Sequence, residues 1–338
     1  MSPWTGPAAT LADRVAAFIA ARMAGGPTES FAALARDVHA WQVTTAPVVA
    51  ALVEGPIADW RDIPAVPVDL YKELPVGTLA ADEPAITFRT SGTTGGARGI
   101  HRMRSSALYD LGAVAWARRC VPGLPTDTAA LLQDSATVPD SSLSHMVAAI
   151  GAGSWHMRDG ELDRSGLDAR VAAAPGPLFM PGTAFALAEW LDGDPAPLPA
   201  GSVVMVTGGF KGREHRLEGA ELLRACRDQL RPARLVTEYG MTELSSQLWG
   251  TPEGPFWPAP WLRAVAVDPH TGTPLPADTE GQLRFYDLCN LDASIGVETL
   301  DAGRVRADGA VSLSGRLAGS PARGCSLTVE EAWARRTP

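Results

Sequence analysis

Lysine is nearly missing from this chain. Only Lys72 and Lys211 stand beside 27 arginines in 338 residues, so any lysine chemistry must use one of two side chains. The skew itself reads as genome composition. Cysteine is scarce as well. Cys120, Cys226, Cys289 and Cys325 form no C-x-x-C pair, which argues against a zinc site. A disulfide framework is not expected in a chain this long and this apolar. No apolar run approaches the roughly eighteen residues a membrane span needs. Asp13, Arg14 and Arg22 interrupt the apolar positions at the N-terminus, so no signal peptide is expected and the protein reads as cytoplasmic. Positive charge is in deficit, with a formal net charge of −9, which argues against a nucleic-acid partner held by bulk charge. With 46% hydrophobic and 20% charged residues, the composition is that of a globular protein with a sizeable core, in one large domain or two.

Against that background one stretch stands out: Arg89-Thr90-Ser91-Gly92-Thr93-Thr94-Gly95-Gly96-Ala97-Arg98-Gly99. Glycines let a backbone turn tightly and bring its N–H groups up to a ligand. Hydroxyls add donors and arginines add fixed positive charge, a combination suited to a polyphosphate. No acidic residue lies between Glu83 and Asp110, whereas Arg89, Arg98, His101, Arg102 and Arg104 all do, so the run reads as an electropositive island. It lacks the Lys-Ser or Lys-Thr of a Walker loop, and it is not G-x-G-x-x-G. Taken alone it also fits a plain surface loop.

The rest of the chain alternates helices and strands. Leu11, Val15, Phe18, Ile19 and Met23 recur at helical spacing behind Thr10, a candidate N-cap, and Phe31, Leu34, Val38 and Trp41 do so after Thr28. Residues 63–75 are proline-rich and read as extended chain packed on the surface. A short strand over 85–89 feeds the Gly-rich run, and 106–118 reads as a helix. A buried strand is expected over 202–207, a helix over 218–230 and a strand over 234–237. Strands alternating with helices imply an α/β sheet whose strand-end loops carry ligands. The last third is β-like at 263–267, 282–286, 304–306 and 311–313, with Asp308-Gly309 as a hairpin turn.

A second chemically dense run, Glu238-Tyr239-Gly240-Met241-Thr242-Glu243-Leu244, follows the strand at 234–237. Tyr239 has a flat ring for stacking on a base. Thr242 has a hydroxyl for a phosphate oxygen. Glu243 has a carboxylate for Mg²⁺, a hard cation that binds through carboxylates and substrate phosphates. An ordinary strand-to-helix turn with Thr and Glu capping has the same composition.

Together the two runs resemble the adenylate-forming superfamily: acyl-CoA synthetases, peptide-synthetase adenylation domains and luciferases. Thr90, Ser91, Gly92, Thr93, Thr94 and Gly95 resemble its phosphate loop, and Tyr239 to Glu243 its adenine- and Mg²⁺-binding motif. The resemblance implies that Gly208 and Gly209 line an adenine pocket beside Glu238, Tyr239, Gly240 and Met241. Asp301, in Glu298-Thr299-Leu300-Asp301, matches a carboxylate that meets the ribose hydroxyls, with Leu300 where the family pattern has glycine. Arg316 of Gly315-Arg316 matches the Gly-Arg that ends the large domain.

A narrower resemblance runs from about Pro64 to Leu327. Val66-Pro67-Val68-Asp69-Leu70-Tyr71-Lys72, Ser141-Ser142-Leu143-Ser144-His145-Met146, Thr207-Gly208-Gly209-Phe210-Lys211-Gly212-Arg213, the Tyr239 motif and Arg323-Gly324-Cys325-Ser326-Leu327 are similar, in one order, to the acyl-protein synthetases of bacterial bioluminescence operons. That implies two steps, with ATP and Mg²⁺ as cofactors. A carboxylate attacks the α-phosphorus of ATP to give acyl-adenylate and pyrophosphate; a thiol then takes the acyl group. Cys325 occupies the place of the family's acylated cysteine, with Arg323 beside it to favour the thiolate. Cys120, Cys226 and Cys289 read as packing residues. Ser142, His145 and Met146 fall at the expected acid pocket. No lysine follows Lys211, so the lysine-bearing C-terminal domain of most superfamily members is expected to be absent. Arg98 and Lys211 are then the candidate catalytic cations, Arg98 toward the pyrophosphate and Lys211 toward the α-phosphate or the substrate carboxylate. Lys72 reads as structural or solvent-facing.

The expected architecture is an α/β adenylate-forming large-domain core of mixed β-sheets flanked by helices, spanning 1–314. Within it, 1–62 is helical, 63–250 is the α/β nucleotide-binding part and 251–314 is a smaller β-rich part, followed by a tail at 315–338. The expected partners are a small-molecule carboxylic acid and an acyl-accepting protein, a reductase or a carrier. Two alternatives stay open: an adenylating enzyme that passes its product to CoA, a carrier protein or an amine, and a non-catalytic nucleotide-binding protein.

Overall fold

The computed structural model describes residues 3–80, 82–83, 86–90, 97–208 and 219–317. The chain opens, as its periodicity predicts, with two helices, Gly6–Ala24 and Phe31–Thr45. Their starts differ from expectation. Thr10 lies inside the first helix, which begins after Thr5 with Pro7 in its first turn, where a missing N–H costs nothing. The second helix is capped by Ser30, whose hydroxyl accepts from the Ala33 N–H at 3.1 Å, rather than by Thr28. Val15, Phe18, Ile19, Leu34 and Val38 are the buried faces.

The backbone groups into two compact units. One comprises the chain to 115, with 241–246 and 257 onward. It carries four antiparallel strands in the order Leu262–Val267, Glu280–Asp287, Gly296–Val305 and Val311–Arg316. Gly309, with φ of 88°, turns the last hairpin where Asp308-Gly309 was expected to. The proline-rich segment is not surface chain. Val66–Pro67 pairs in parallel with Val297 and Glu298, and Leu70–Glu73 forms one helical turn with Leu70 and Tyr71 both 1% exposed. A separate hairpin, Ile86–Arg89 with Ile100–Met103, frames the Gly-rich run. Phe31, Trp60 and Tyr286 stack edge to face at 5.4 and 5.1 Å.

The second unit, 116–240 with 247–256, is an α/β sheet. Its strands run Leu248–Gly250, Arg234–Tyr239, Val203–Thr207, Phe179–Thr183, Asp127–Gln133, Ala152–Arg158 and Glu161–Leu162, parallel except for the two outermost pairings. The helices Ser142–Ile150, Arg164–Ala172, Ala184–Leu191 and Gly219–Ala225 alternate with these strands along the chain. Leu131, Met180, Leu187, Trp190, Val204 and Val206 form its core. The parallel strands deliver the carboxyl ends Thr183, Thr207 and Tyr239 to one edge, the edge where open α/β sheets carry ligands.

His39, on the second helix, is 3% exposed, and neither ring nitrogen has a hydrogen-bond partner among the described residues. Burial pushes its imidazole down to about 4. The fold therefore holds His39 neutral, whereas the unfolded chain protonates it near 6.5. This contribution to stability is complete above that value and is lost as pH falls toward 4. Denaturant titrations at pH 7.5 and pH 5 should show a loss of about 2 kcal/mol from this group in the natural protein and none in His39→Leu. Equal losses in the two proteins would contradict the assignment.

Candidate active site

The first unit holds the ends of the Gly-rich run. The Thr90 N–H donates to the Gly99 carbonyl at 3.0 Å, and the Gly99 N–H to the Thr90 hydroxyl at 2.8 Å. Arg98 spans the same mouth: its Nε donates to the Thr90 carbonyl at 2.5 Å and its Nη2 to the Arg89 carbonyl at 3.2 Å. Arg98 thus closes the base of the loop with its guanidinium. Ser91, Gly92, Thr93, Thr94 and Gly95 lie outside the described residues, as do Gly209, Lys211 and Cys325.

The expected electropositive island is largely spent on the fold. Arg102 donates to the carbonyls of Ala80 and Glu83 at 2.7 and 2.6 Å. Arg104 binds Asp292 at 2.6 Å and Glu83 at 3.0 Å. His101 is buried, and burial lowers its pKa. Its Nδ1–H donates to the Thr242 carbonyl at 2.7 Å, which fixes the neutral tautomer with the proton on Nδ1.

Glu243 stands against this loop mouth. A methyl group placed on Gly99 would lie 3.1 Å from Glu243 Oε1 and 3.0 Å from the Thr90 methyl, so a side chain there would press on both. Glu243 is 5% exposed. Burial raises its pKa, while the cations of Lys72 and Arg316 pull it back and Asp69 pushes it up. A carboxylate held this dry gains from an added cation. Among the described residues no cluster of three or more His, Cys, Asp or Glu side chains forms a metal cage. Glu243 offers one carboxylate, where Mg²⁺ takes one or two and completes its shell with water and phosphate oxygens.

The backbone behind Glu243 is held by residues 287–295, which no motif in the sequence marks. Asn290 donates to the Glu243 carbonyl at 2.8 Å and to the Ser294 carbonyl at 3.0 Å, and accepts from the Ser245 N–H at 2.8 Å. Asp287 accepts from the Ser245 N–H, the Ser246 hydroxyl and the Cys289 N–H at 2.8–3.0 Å. Burial pushes the Asp287 carboxyl up to about 6. Gln42 pins the far side, donating to the carbonyls of Asn290 and Leu291 and accepting from the Ile295 N–H. The only local signal is a run of four polar residues, Asp287, Asn290, Asp292 and Ser294, that is interspersed with apolar ones and is wholly buried.

Asp301 and Arg316 face each other across two antiparallel strands, Nε to Oδ1 at 3.5 Å, with the Thr299 hydroxyl accepting from the Asp301 N–H at 3.0 Å. Arg316 is well exposed.

In the second unit, Thr207 and Glu238 are register partners at the carboxyl ends of adjacent parallel strands. The Thr207 hydroxyl donates to Glu238 Oε2 at 2.5 Å. Burial raises the Glu238 carboxyl to about 7, against the pull of that bond. A methyl group on Gly240 would fall 2.5 Å from Glu238 Oε1, so the latched carboxyl demands glycine there. Gly208, with φ of 65°, leaves the other strand in the left-handed region that glycine adopts freely. The Tyr239 ring sits 6.0 Å from Phe256, tilted by 58°. Ser142, His145 and Met146 occupy the start of the helix that follows the strand Asp127–Gln133; Met146 faces the core, while Ser142 and His145 are half-buried. The chain passes from this unit to the first between Gly240 and Met241, inside the Tyr239–Glu243 motif.

The described cysteines carry no reactive thiolate. Burial pushes Cys120 and Cys226 up to about 12 and Cys289 well above its ordinary value.

No protein-family model matches the chain, and no curated protein matches it. Solved structures do. o-Succinylbenzoate coenzyme A synthetase from Bacillus subtilis, in complex with ATP and magnesium ion, aligns with a TM-score of 0.51 at 16% identity, covering 68% of this chain and 49% of that one. The same enzyme with its acyl-adenylate intermediate aligns at 0.50 and 16%, covering 68% and 48%. An ATP-bound chimera of RpMatB and BxBclM aligns at 0.50 and 18%, covering 68% and 47%. The chain spans about half the length of these structures. Its fold, a mixed α/β arrangement of sheets flanked by helices, is that of the adenylate-forming enzyme core.

Proposed function

We propose that this protein activates a carboxylic acid with ATP, forming an acyl-adenylate and releasing pyrophosphate, and then transfers the acyl group to a thiol. The observation that carries the reading is the buried Glu243 carboxylate set against the mouth of the Gly-rich loop. Its support from known proteins is the likeness of fold to a synthetase whose structures contain ATP with magnesium and an acyl-adenylate.

In this reading Glu243 holds Mg²⁺, which neutralises phosphate charge. Thr90 and the loop from Ser91 to Gly95 donate to phosphate oxygens. Thr242 adds a hydroxyl there, and Arg98 both braces the loop and faces the pyrophosphate. Gly208, Gly209 and Tyr239 bound the adenine, with Glu238 locking the ends of the strands Val203–Thr207 and Arg234–Tyr239. Asp301 accepts from the ribose hydroxyls, with Arg316 aligned beside it. Lys211 meets the α-phosphate or the acid, and Ser142, His145 and Met146 border the acid. The substrate carboxylate oxygen bonds to the α-phosphorus as the bond to pyrophosphate breaks. A thiolate then bonds to the acyl carbon and AMP leaves. The catalytic contribution of the protein is placement and charge neutralisation.

Cys325 is the proposed acceptor thiol, and onward transfer goes to a partner protein. Intact mass after incubation with Mg²⁺, ATP and the activated acid should show one acyl group on the natural protein and none on Cys325→Ser. Unimpaired delivery of the acyl group to its acceptor by Cys325→Ser would favour direct transfer to CoA, a carrier protein or an amine.

A further inference from the structure

The backbone of Glu243 is held on both sides, and the two holds come from different parts of the fold. Its own carbonyl accepts from Asn290 at 2.8 Å, inside the buried 287–295 network. The carbonyl before it, that of Thr242, accepts from His101 Nδ1 at 2.7 Å. A peptide unit is planar, so holding the units on either side of one Cα restricts its φ and ψ and with them the direction of its side chain. These two bonds aim the Glu243 carboxylate.

Asn290 belongs to that buried network, whereas His101 belongs to the hairpin that frames the Gly-rich run. It lies two residues beyond Gly99, on the strand Ile100–Met103, and pairs in register with Phe88 on Ile86–Arg89. Side chains two apart on an extended backbone point to one side. On that side a methyl group at Gly99 would meet Glu243 Oε1 at 3.1 Å, and the His101 imidazole meets the Thr242 carbonyl. One short stretch of chain, the exit of the Gly-rich run, thus borders both the carboxylate and the peptide that precedes it.

Packing alone does not call for an imidazole here. His101 is 1% exposed, with the Tyr71 ring edge-on to it at 6.4 Å and 72°. An apolar ring would fill that place without the cost of burying a polar group, which only a hydrogen bond offsets. The Thr242 carbonyl can only accept, so the bond takes the one N–H of the neutral imidazole.

We infer that His101 is a positioning residue for the Mg²⁺ carboxylate: through the Thr242 carbonyl it fixes the aim of Glu243 relative to the exit of the Gly-rich loop, so that carboxylate and loop meet one Mg²⁺-bound polyphosphate. It acts through Glu243 and touches neither nucleotide nor metal. The inference rests on the nucleotide reading of the site above.

Two substitutions separate this role from packing. His101→Phe keeps a ring against Tyr71 and lacks the donor. His101→Asn keeps an N–H near the place of Nδ1 and lacks the ring. A third, His101→Gln, carries its amide to the Nε2 place instead and should behave as His101→Phe does. Calorimetric binding of ATP to the full chain, with Mg²⁺ and with the cation chelated, measures the tightening that Mg²⁺ supplies. That tightening should fall by about five- to tenfold in His101→Phe, the order of one neutral hydrogen bond, while Mg²⁺-free ATP changes by less than about twofold. His101→Asn should keep most of it, and His101→Phe added to Glu243→Gln should cost nothing beyond Glu243→Gln alone. Natural Mg²⁺ dependence in His101→Phe and His101→Gln overturns the inference. So does an equal loss with and without Mg²⁺, or a larger loss in His101→Asn than in His101→Phe, since both mark packing. An additive loss in the double variant overturns it too, by separating His101 from Glu243. A natural protein whose ATP binding owes nothing to Mg²⁺ overturns the reading of Glu243 itself, and the role of His101 with it.

Discussion

Glu243→Gln should lower acid-dependent ATP–pyrophosphate exchange by about 10² to 10³ while leaving the fold at least as stable. The amide keeps the shape of the carboxylate, which is enclosed by Gly99, Thr90 and the bonded 241–246 backbone. It removes only the charge. Because burial already disfavours that charge, the folded protein loses nothing by its removal. The transition state loses a cation ligand at the phosphates, and removal of one well-placed electrostatic partner costs about 10² to 10³ in rate. Exchange assays over a range of Mg²⁺ concentrations, paired with thermal unfolding, separate the two effects. Exchange within about threefold of the natural protein at saturating Mg²⁺ would remove Glu243 from the chemistry.

The largest expected stability effect lies at Asp292. Its side chain is 1% exposed and accepts from the Trp4 indole at 2.9 Å, the Arg104 N–H at 2.8 Å and the Arg104 guanidinium at 2.6 Å. Arg104 is itself mostly buried, and its other anionic partner, Glu83, is partly exposed. Asp292→Ala therefore leaves the Arg104 guanidinium only the partly exposed Glu83 and the Thr78 hydroxyl, and strands an indole N–H and a backbone N–H. Removing one partner of a buried pair costs about 3–5 kcal/mol, and the two further donors add to it. Denaturant unfolding should register at least the lower figure, and Asp292→Asn should lose less. A loss under about 1 kcal/mol for Asp292→Ala would mean that the network is solvated and not structural.

The readability of these features from sequence followed the range of the interactions behind them. The first two helices were legible because the burial of Val15, Phe18, Ile19, Leu34 and Val38 is periodic along the chain. Their caps were off by a few residues because Thr5 and Ser30 compete with Thr10 and Thr28 on equal chemistry, and Pro7 settles the first case only once the helix is seen. The strand Val203–Thr207 and the hairpin at Gly309 carried their own signals. The strand Asp127–Gln133 did not, since Ala-Ala-Leu-Leu is a short apolar run that fits a helix equally well. Residues 63–75 looked like surface chain because proline disfavours regular structure, and the partner that recruits Val66–Pro67 lies some 230 residues away at Val297 and Glu298. Distance also hid the 287–295 segment. Gln42, Trp4 and Arg104 reach it from the other end of the chain, and no local pattern reveals a polar residue's remote partner.

For the site, the residue types of the Tyr239–Glu243 motif suggest a chemistry, but not what holds each group. His101 reads from the sequence as part of an electropositive island and is a neutral, buried brace for the Thr242 carbonyl. Glu238 stands in the sequence among the candidate adenine-binding residues; the bond its carboxyl makes to Thr207 across the strand ends has no sequence signal. Both roles depend on burial, which charge counting does not see.

The central claim is adenylation. Exchange of labelled pyrophosphate into ATP, in the presence of Mg²⁺ and across fatty, aryl and amino acids, tests it most directly. The account predicts exchange that needs both Mg²⁺ and one class of acid and that collapses in Glu243→Gln. Exchange at background with every acid, from a protein that still binds ATP, would contradict it and leave a nucleotide-binding protein without this chemistry.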